Sequence, residues 1–299
     1  LDATSFFERT HLTSGLQRLL KGVVKRLAGA SPNAVFQLSQ AMGGGKTHLM
    51  LAAGLAAEEP AVGNRILREI GSDVDVPAGV RLAALTGRKN PTNFLWGEIA
   101  DQLGRPNFFE SEGVVQGIAP DLDQWRRLIG NKPTLILLDE IPFYLMGASA
   151  RQIGETTLAG TTQVALSNLF EAALKLPQCC VVVADLKGAH KEGADKIQSA
   201  LSDAQRRSAE REIDHLQQEA NRQATQITPV SLQGDEVYQI LRKRLLNTLP
   251  DDATIDAIAE GYDRALEEAE KAGYINAAVR DGFADDIREA YPFHPALKH

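Results

Sequence analysis

The stretch QLSQAMGGGKTHLM, residues 37–50, nearly matches a phosphate-binding loop. Such loops follow the pattern G-x-x-x-x-G-K-[ST] and lie between a strand and a helix. Gly45, Lys46 and Thr47 supply the second half of the pattern, whereas Gln40 stands where the first glycine is expected. The alternative is a glycine-rich turn that contains Lys-Thr by coincidence. The context favours a phosphate loop, because an apolar segment before it predicts a strand and spaced leucines after it predict a helix.

The residue types in this stretch suit ATP and Mg²⁺. A phosphate loop aims backbone N–H groups at the phosphates from a helix N-terminus. Lys46 would add positive charge at the β- and γ-phosphates, and the Thr47 hydroxyl would ligate Mg²⁺. Gln40 must make the turn out of the strand with a Cβ, which is a modest conformational cost. The predicted nucleotide-binding residues are Gln40, Ala41, Met42, Gly43, Gly44, Gly45, Lys46, Thr47 and His48.

A second motif lies in the apolar run PTLILLDEIPFYL, residues 133–145. This run predicts a central strand that is buried on both faces of a parallel sheet. Asp139 would lie at the carboxyl end of the strand, where ligands bind in open α/β sheets, and would bind Mg²⁺ through water. Glu140 would polarise the attacking water. Two solvated acids at a strand end are the alternative, but the pairing with a Gly-Lys-Thr loop favours a site that hydrolyses ATP.

Two further residues have both a functional and a structural interpretation. Asp185 follows the apolar run CCVVVA and would lie on the same rim of a parallel sheet as Asp139, close to the γ-phosphate or to the water that attacks it. The alternative is that Asp185 is a solvated residue in a turn. Arg222 precedes the predicted strand QITPVSL and would act as an arginine finger on a neighbouring subunit's γ-phosphate. A solvated arginine at a helix C-terminus explains Arg222 equally well. Arg206 and Arg207 are second choices for the finger.

The order of predicted elements indicates an α/β fold. Strands and helices alternate up to residue 232 and only helices follow, which predicts a three-layer core over 1–232 and a helical lid over 233–299. Residues 194–223 contain neither Gly nor Pro, are dense in charge, and predict a long helix with one thin apolar face. Segments 105–120 and 150–163 are predicted loops. The helix predicted over 91–104 carries Trp96, which we expect in the core rather than on a ligand.

The composition limits the choice of partners and compartment. The formal charge of −7, from 32 basic and 39 acidic residues, does not favour binding to a nucleic-acid backbone as the main task. A DNA motor would need a basic channel that only an assembled ring supplies. Cys179 and Cys180 would point to opposite faces of a strand, as buried thiols in a reducing cytosol. No apolar stretch approaches the roughly 20 residues of a membrane helix, and no signal peptide is evident. We therefore expect a cytoplasmic protein without membrane contact, and the first residue, Leu1, indicates a piece of a longer protein.

The motif set resembles an AAA+ ATPase, and GGGKTHL is similar to the loop of the DnaA/DnaC initiator and loader branch. A resemblance over nearly the whole chain is carried by SFFERTHLTSGLQRLL, FLWGEIADQLG, LILLDEIPFYL, QITPVSLQGDEVYQILRKRLL and AYPFHPAL. Together these segments resemble the large bacterial P-loop ATPases of the DUF499 family, which includes the PglY-type ATPases of BREX phage-defence systems. The resemblance implies a cytoplasmic ATPase that self-associates as an AAA+-type oligomer and acts with other defence or DNA-modification proteins. DNA would bind only in the assembled complex.

The resemblance also implies a role for the N-terminal segment. Thr10, His11 and Leu12 would lie over the adenine, with His11 stacked on the base; a helix-start histidine with local contacts is the alternative. The chain ends soon after YPFHP, so the last lid helix would be absent or incomplete, and neither Arg280 nor Arg288 has motif support as a sensor. The expected activity is ATP hydrolysis. The alternative is a nucleotide-dependent switch or scaffold that hydrolyses little or no ATP.

Overall fold

The chain divides into two compact units, which are described separately. A computed structural model describes residues 2–40, 44–88, 94–115, 117–184, 201–231, 236–246, 248 and 250–295. The first unit comprises Leu1–Thr4 and Ser14–Pro229, and the second comprises Ser5–Thr13 and Val230–His299. The predicted division into 1–232 and 233–299 assigned residues 5–13 to the core, whereas these residues group with the second unit.

The part of the chain up to Pro229 alternates between helices and strands. Its elements are α1 (Ala3–Glu8), α2 (Ser14–Leu27), β1 (Val35–Leu38), α3 (Lys46–Glu58), α4 (Pro60–Glu69), β2 (Arg81–Thr86), α5 (Leu95–Gln102), α6 (Phe108–Ser111), α7 (Leu122–Ile129), β3 (Thr134–Asp139), α8 (Ile141–Ala148), β4 (Gln152–Ile153), β5 (Thr156–Thr157), α9 (Leu158–Lys175), β6 (Cys179–Ala184), α10 (Asp203–Gln223) and β7 (Ala224–Ile227).

Five strands form one parallel sheet in the order β2-β3-β6-β1-β7. β1 pairs with β6 on one side and with β7 on the other, so that Val35 lies opposite both Val181 and Ala224. Strands β1 and β6 are buried along their whole length, and β3 is buried up to its last residue, Asp139. Continuous apolar strands of this kind are typical of parallel sheets covered on both faces. The predicted α/β fold with a parallel sheet is confirmed.

Helices pack on both faces of the sheet because successive strand residues point in opposite directions. Val35, Ile136 and Val181 belong to the apolar core that the sheet shares with α5 to α10. The opposite face, which includes Phe36 and Leu137, contacts α2 and α3. The adjacent cysteines of β6 are both buried, as predicted for side chains on the two faces of a covered strand.

A buried arginine joins α2 to the start of β6. The Arg26 guanidinium donates to the carbonyl oxygens of Cys179 (3.0 Å), Ala173 (2.7 Å), Leu176 (2.8 Å) and Ser31 (2.8 Å). Burial lowers the pKa of Arg26, and the surrounding carbonyl oxygens supply the hydrogen-bond acceptors that its charge requires. Arg26 thereby adds a donor to the carbonyl groups at the end of α9, although those of Ala173 and Leu176 also accept backbone N–H groups.

The apolar run 133–145 contains a strand and most of a helix. The strand ends at Asp139, as predicted, but the sequence did not predict that α8 follows within the same run. Glu140 has a φ of 54° and turns the chain, and Pro142 suits the first turn of a helix. An apolar run alone does not distinguish a buried strand from a buried helix.

The two predicted loops also contain regular structure. Segment 105–120 includes the one-turn helix α6, which follows Asn107 with a φ of 58°. Segment 150–163 includes the β4–β5 hairpin and the first turn of α9. The side chain of Thr157 accepts a hydrogen bond from the Gly160 N–H, so this polar residue caps a helix.

The predicted long helix is α10, whose described part begins at Asp203 after a capping box between Ser202 and Gln205. Residues 194–200 lie outside the described residues. One narrow face of α10 is buried, as predicted, and consists of Ala209, Ile213, Leu216, Gln217 and Ala220.

The second unit is helical in its described residues. Its helices after Val230 are α11 (Glu236–Leu245), α12 (Asp252–Lys271), α13 (Ala277–Arg280) and α14 (Phe283–Ala290). The Arg242 guanidinium donates to the carbonyl oxygens of Arg288 and Glu289 near the end of α14. Among the described residues of α12, Ala259 alone is buried, so this unit has a small core.

Candidate functional site

The glycine-rich stretch lies between β1 and α3, in the predicted strand–loop–helix order. The Ser39 N–H donates to the Ile227 carbonyl at 3.0 Å, which ties the end of β1 to β7. Gly45 has a φ of 86°, a conformation that glycine adopts readily, and α3 begins directly after it with Lys46. The first N–H groups of such a helix have no partner within the helix and point toward an incoming anion.

The lysine of the motif lies on the loop side of α3. Lys46 Nζ donates to the backbone carbonyl of Gln40, so the lysine side chain reaches back to the position at which the motif begins. The predicted loop residues Ala41, Met42 and Gly43 fall outside the described residues. Gly44, which precedes the helix, and His48, in its first turn, are half-buried. The described part of the loop therefore lies directly before α3, and its role in binding phosphate stays a prediction.

Thr47 and Asp139 meet directly although 92 residues separate them in sequence. The Thr47 hydroxyl donates to Asp139 Oδ2 at 2.6 Å, at a solvent-accessible position. This contact crosses β6, which lies between β1 and β3, and it is possible because α3 packs over β3 and β6. A hydroxyl that donates to a carboxylate keeps its oxygen lone pairs available for a hard cation.

Glu140, the second acid of the motif, is held by residues at the end of β2. Its Oε1 accepts a hydrogen bond from Arg88 Nε at 2.6 Å, and its Oε2 accepts one from the Thr86 hydroxyl at 3.1 Å. The Arg88 guanidinium also lies 4.3 Å from the centre of the Phe143 ring. The left-handed backbone of Glu140 costs about 1–2 kcal/mol relative to an ordinary conformation. Both carboxylate oxygens are therefore bound by neighbours on the same rim.

Gly87 allows the end of β2 to approach Glu140 closely. A Cβ on Gly87 would lie 2.0 Å from the Glu140 carbonyl oxygen, so no other residue fits without movement of the backbone. The Gly87 N–H donates to the Asp139 carbonyl at 2.9 Å. The sequence prediction did not include Thr86 or Arg88. Their place at the carboxyl end of a strand was the available signal, since ligands bind at that edge of parallel sheets.

A chain of side-chain amides, in which Gln37 and Gln217 are buried, links β1 to α10. Gln37, which is 1% exposed, donates to Gln217 Oε1 at 3.0 Å and accepts from Gln226 Nε2 at 2.7 Å. Gln217 in turn donates to Asn221 at 2.6 Å. This network joins the strand that precedes the loop to β7 and to the last turns of α10. The sequence prediction missed it, because Gln37 stands within an apolar strand pattern.

The remaining predicted residues are dispersed. Arg222 lies in the last turn of α10 with its side chain 72% exposed, 3.7 Å from Glu219. Arg206 lies near the other end of α10, 3.4 Å from Asp203, and Arg207 is exposed beside it. Asp185 is outside the described residues. The finger role of Arg222 stays a prediction.

The predicted adenine-binding residues belong to the second unit. The Thr10 hydroxyl donates to the Phe6 carbonyl at 2.7 Å, which caps the end of α1, and Thr10 itself is buried. The His11 carbonyl accepts a hydrogen bond from the Thr13 N–H at 3.0 Å. Leu12 lies between them and is half-buried. A contact of these residues with a base stays a prediction.

A family comparison fits this arrangement. The DUF499 N-terminal domain matches residues 1–69 and 70–221, which include the loop, Thr86 to Arg88 and both acids. The chain belongs to the DUF499 family. The family expected from the sequence is thus confirmed for this DUF499 chain. No curated protein matches it.

Two further properties of the DUF499 chain bear on its ligands. The described residues contain no group of three or more His, Cys, Asp or Glu side chains suited to a metal ion. None of the helices within the described ranges combines the length and apolar character needed to cross a bilayer.

Proposed function

We propose that this DUF499 domain binds ATP with Mg²⁺ and hydrolyses it as an AAA+-like ATPase. The observation that carries the proposal is the 2.6 Å contact between the Thr47 hydroxyl and the Asp139 carboxylate. It joins a Gly-Lys-Thr sequence at a helix start to an acid at the carboxyl end of a buried parallel strand. This combination supplies charge, backbone donors and hard oxygen ligands in one place.

The phosphate groups would bind at the start of α3. This helix has 13 residues, and its partial positive charge favours an anion at that end. Lys46 would exchange the Gln40 carbonyl for phosphate oxygens, because a charged acceptor forms a stronger hydrogen bond than a neutral carbonyl. The proposed contacts thus replace an intramolecular hydrogen bond and leave no buried cation unpaired.

The residues present fit a magnesium ion. The Thr47 oxygen would be a direct ligand, and Asp139 would accept a hydrogen bond from a water in the ion's coordination shell while it holds the Thr47 hydroxyl. When bound, the ion would neutralise charge that develops on the β- and γ-phosphate oxygens. Thr47 and Asp139 would then fix the position of the phosphates at the carboxyl edge of the sheet.

Glu140 would orient the attacking water. A carboxylate can accept the proton of a water only if at least one of its oxygens is available. In this structure Arg88 and Thr86 each donate to one oxygen, which lowers the basicity of the carboxylate, so Glu140 would accept a proton more readily once it leaves Arg88. The proposed reaction breaks the bond between the γ-phosphorus and the bridging oxygen as the water oxygen attacks in line, and it yields ADP and inorganic phosphate.

The contacts of Glu140 with Arg88 and Thr86 also favour a second candidate function. A domain whose Glu140 stays bound to Arg88 and Thr86 would bind ATP and change conformation with little turnover. Such a nucleotide-dependent switch or scaffold would share every binding residue with the ATPase. Phosphate release at saturating ATP separates the two functions, since an ATPase with an intact site loses turnover in the Glu140→Gln variant and a switch has none to lose.

The biological setting rests on the sequence resemblance and is also proposed. The domain would act in the cytoplasm within a phage-defence or DNA-modification system, with other proteins of that system and as an AAA+-type oligomer. Arg222, on the exposed end of α10, would serve a neighbouring subunit's γ-phosphate, and Asp185 would lie near that phosphate. Thr10, His11 and Leu12 would contact the adenine.

The binding proposal is tested by calorimetric titration of ATP with Mg²⁺ and with EDTA. Wild type should bind ATP more tightly with Mg²⁺, Thr47→Val should lose this difference, and Lys46→Ala should lose ATP binding. Lys132→Ala is the control, because it removes an exposed lysine in the turn before β3. Unchanged ATP affinity in Lys46→Ala, or a wild type that does not bind ATP at millimolar concentration, would overturn the proposal.

A further inference from the structure

A cavity lies in the first unit, lined by α5, by residues 107–110, 114, 115 and 117, and by Arg151. Its volume is about 380 Å³, which is within the range of sites that hold a small ligand or a few side chains. The phosphate loop, Thr47, Asp139 and Glu140 do not line it. This cavity is therefore a separate feature from the proposed nucleotide site.

The walls of the cavity combine polar side chains with a group of apolar and aromatic ones. Phe94, Trp96, Phe108 and Phe109 line it together with Val114 and Val115. Val115 is 63% exposed at the rim, and Ile118, three residues further on, is 55% exposed. A cavity that continues into exposed apolar side chains is typical of a surface that binds another protein. Val115 and Ile118 therefore form an apolar surface beside the cavity that is accessible to a partner protein.

The polar side chains of the cavity carry an excess of negative charge. The carboxylates of Glu98, Asp101 and Glu110 face one guanidinium, that of Arg151, which leaves two negative charges. Asp101 and Glu110 are exposed, and in the described part of the chain neither forms an ion pair. A ligand that fits this rim must bring positive charge beside an apolar group.

The aromatic walls suit a guanidinium in particular. The chain places its own Arg151 guanidinium 4.9 Å from the centre of the Phe94 ring. It also places Arg105, which lies outside the cavity, 4.1 Å from the centre of the Phe108 ring. Arginine stacks on aromatic faces and pairs with carboxylates in the same geometry. An arginine side chain from outside would find both kinds of partner here.

We propose that this cavity, which we call the α5 pocket, binds a short segment of a partner protein that carries basic and bulky apolar side chains in alternation. The apolar side chains would enter between Trp96 and Phe109. The basic side chains would pair with Asp101 and Glu110 at the rim. The inference concerns an interaction surface, and it holds whether or not the domain hydrolyses ATP.

The test uses the tetrapeptide acetyl-Arg-Phe-Arg-Leu-amide as probe, without nucleotide. The chain contains two tryptophans, and Trp125 is fully buried, so Trp96 is the fluorophore in contact with the pocket. Addition of the peptide should change the tryptophan emission with saturation below millimolar concentration. The change should be absent in Trp96→Phe, in which calorimetry reports binding instead.

Three comparisons make the test specific. Asp101→Asn/Glu110→Gln should weaken binding by about tenfold, the sum expected for two partly exposed charge pairs. The control Glu58→Gln/Glu69→Gln removes two exposed acids outside the pocket and should leave the affinity unchanged. Peptides with Glu in place of Arg, or with Ala in place of Phe and Leu, should not bind. Increased salt should weaken binding of the original peptide.

Several outcomes would overturn the proposal. One is no saturable binding of the basic apolar peptide, and another is equal affinity for the Asp101→Asn/Glu110→Gln variant. Equally tight binding of free argininamide would make the pocket a small-molecule site. A wild type that forms dimers that the double variant does not form would identify a second copy of this chain as the occupant.

Discussion

Replacement of Arg88 by alanine tests whether Glu140 is restrained in the free domain. The substitution removes the donor at 2.6 Å from Glu140 Oε1 and leaves the Thr86 hydroxyl on Oε2. If Glu140 must leave Arg88 before it can orient a water, the variant should hydrolyse ATP faster than wild type. Affinity for ATP should not change, since Arg88 is not among the proposed phosphate-binding residues.

The size of the increase follows from the geometry of the pair. The contact is short and charge-assisted, which places it at the strong end of ion pairs. The side chains are 51% and 29% exposed, however, so solvent reduces the interaction to about 1 kcal/mol. A difference of about 1 kcal/mol changes the population of released Glu140, and hence the rate, about fivefold. Arg88→Ala/Thr86→Val should increase turnover further.

The assay is phosphate release at saturating ATP, with ATP affinity measured separately by calorimetry. Glu140→Gln combined with Arg88→Ala should be as slow as Glu140→Gln alone, because the gain acts through the carboxylate. A rate that is unchanged or lower in Arg88→Ala, at unchanged ATP affinity, would refute the restraint. A lower rate would instead assign Arg88 a favourable contact in the transition state.

Other predictions concern stability, thiols and assembly. Arg26→Met should lower the free energy of unfolding by about 3 kcal/mol in urea denaturation, because it removes several charge-assisted hydrogen bonds to buried carbonyl groups. Arg18→Met, on the exposed side of the same helix, should change the free energy of unfolding little, and equal effects would contradict the role of Arg26. Burial raises the pKa of Cys179 to about 12 and also raises the pKa of Cys180, so a thiol reagent should react with these residues only after denaturation. The free energy of unfolding should fall as the pH rises from about 9 toward 12, because the unfolded chain then releases thiol protons that the folded chain retains. Rapid reaction of the thiols in the native protein would contradict their burial. Arg222→Ala should retain ATP affinity but hydrolyse slowly, and wild-type activity per subunit should rise with protein concentration; flat activity over a dilution series with a fully active variant would exclude a finger acting between subunits.

The sequence predicts the parts of the site whose residues are neighbours in the chain. Lys46 and Thr47 adjoin at a helix start, and Asp139 and Glu140 adjoin at a strand end, so motif and periodicity suffice to place each pair. The parallel sheet follows from the alternation of strands and helices. To predict the direct contact of Thr47 with Asp139, the order of the strands in the sheet must also be known, and hydrophobic periodicity carries no information on that order.

The rest depends on contacts between distant residues. Arg88 lies 52 residues before Glu140, and nothing in its local sequence indicates a carboxylate partner. Seven of the eight residues of α8 are buried, so its apolar sequence resembles a strand. Gln37 stands in an apolar strand and acquires its role only from Gln217 and Gln226. In each case the tertiary partner, and not local propensity, decides the outcome.

The strand order has a consequence for any attempt to shorten this protein. The family match ends at residue 221, three residues before β7 begins at Ala224. A protein cut at the end of the match would lose its last strand and turn β1 into an edge strand with unpaired N–H and C=O groups. It would also lose the Ile227 carbonyl that holds Ser39 at the entrance to the phosphate loop. Aggregation and loss of ligand binding after such a cut would reflect an exposed sheet edge, although every residue of the loop is still present.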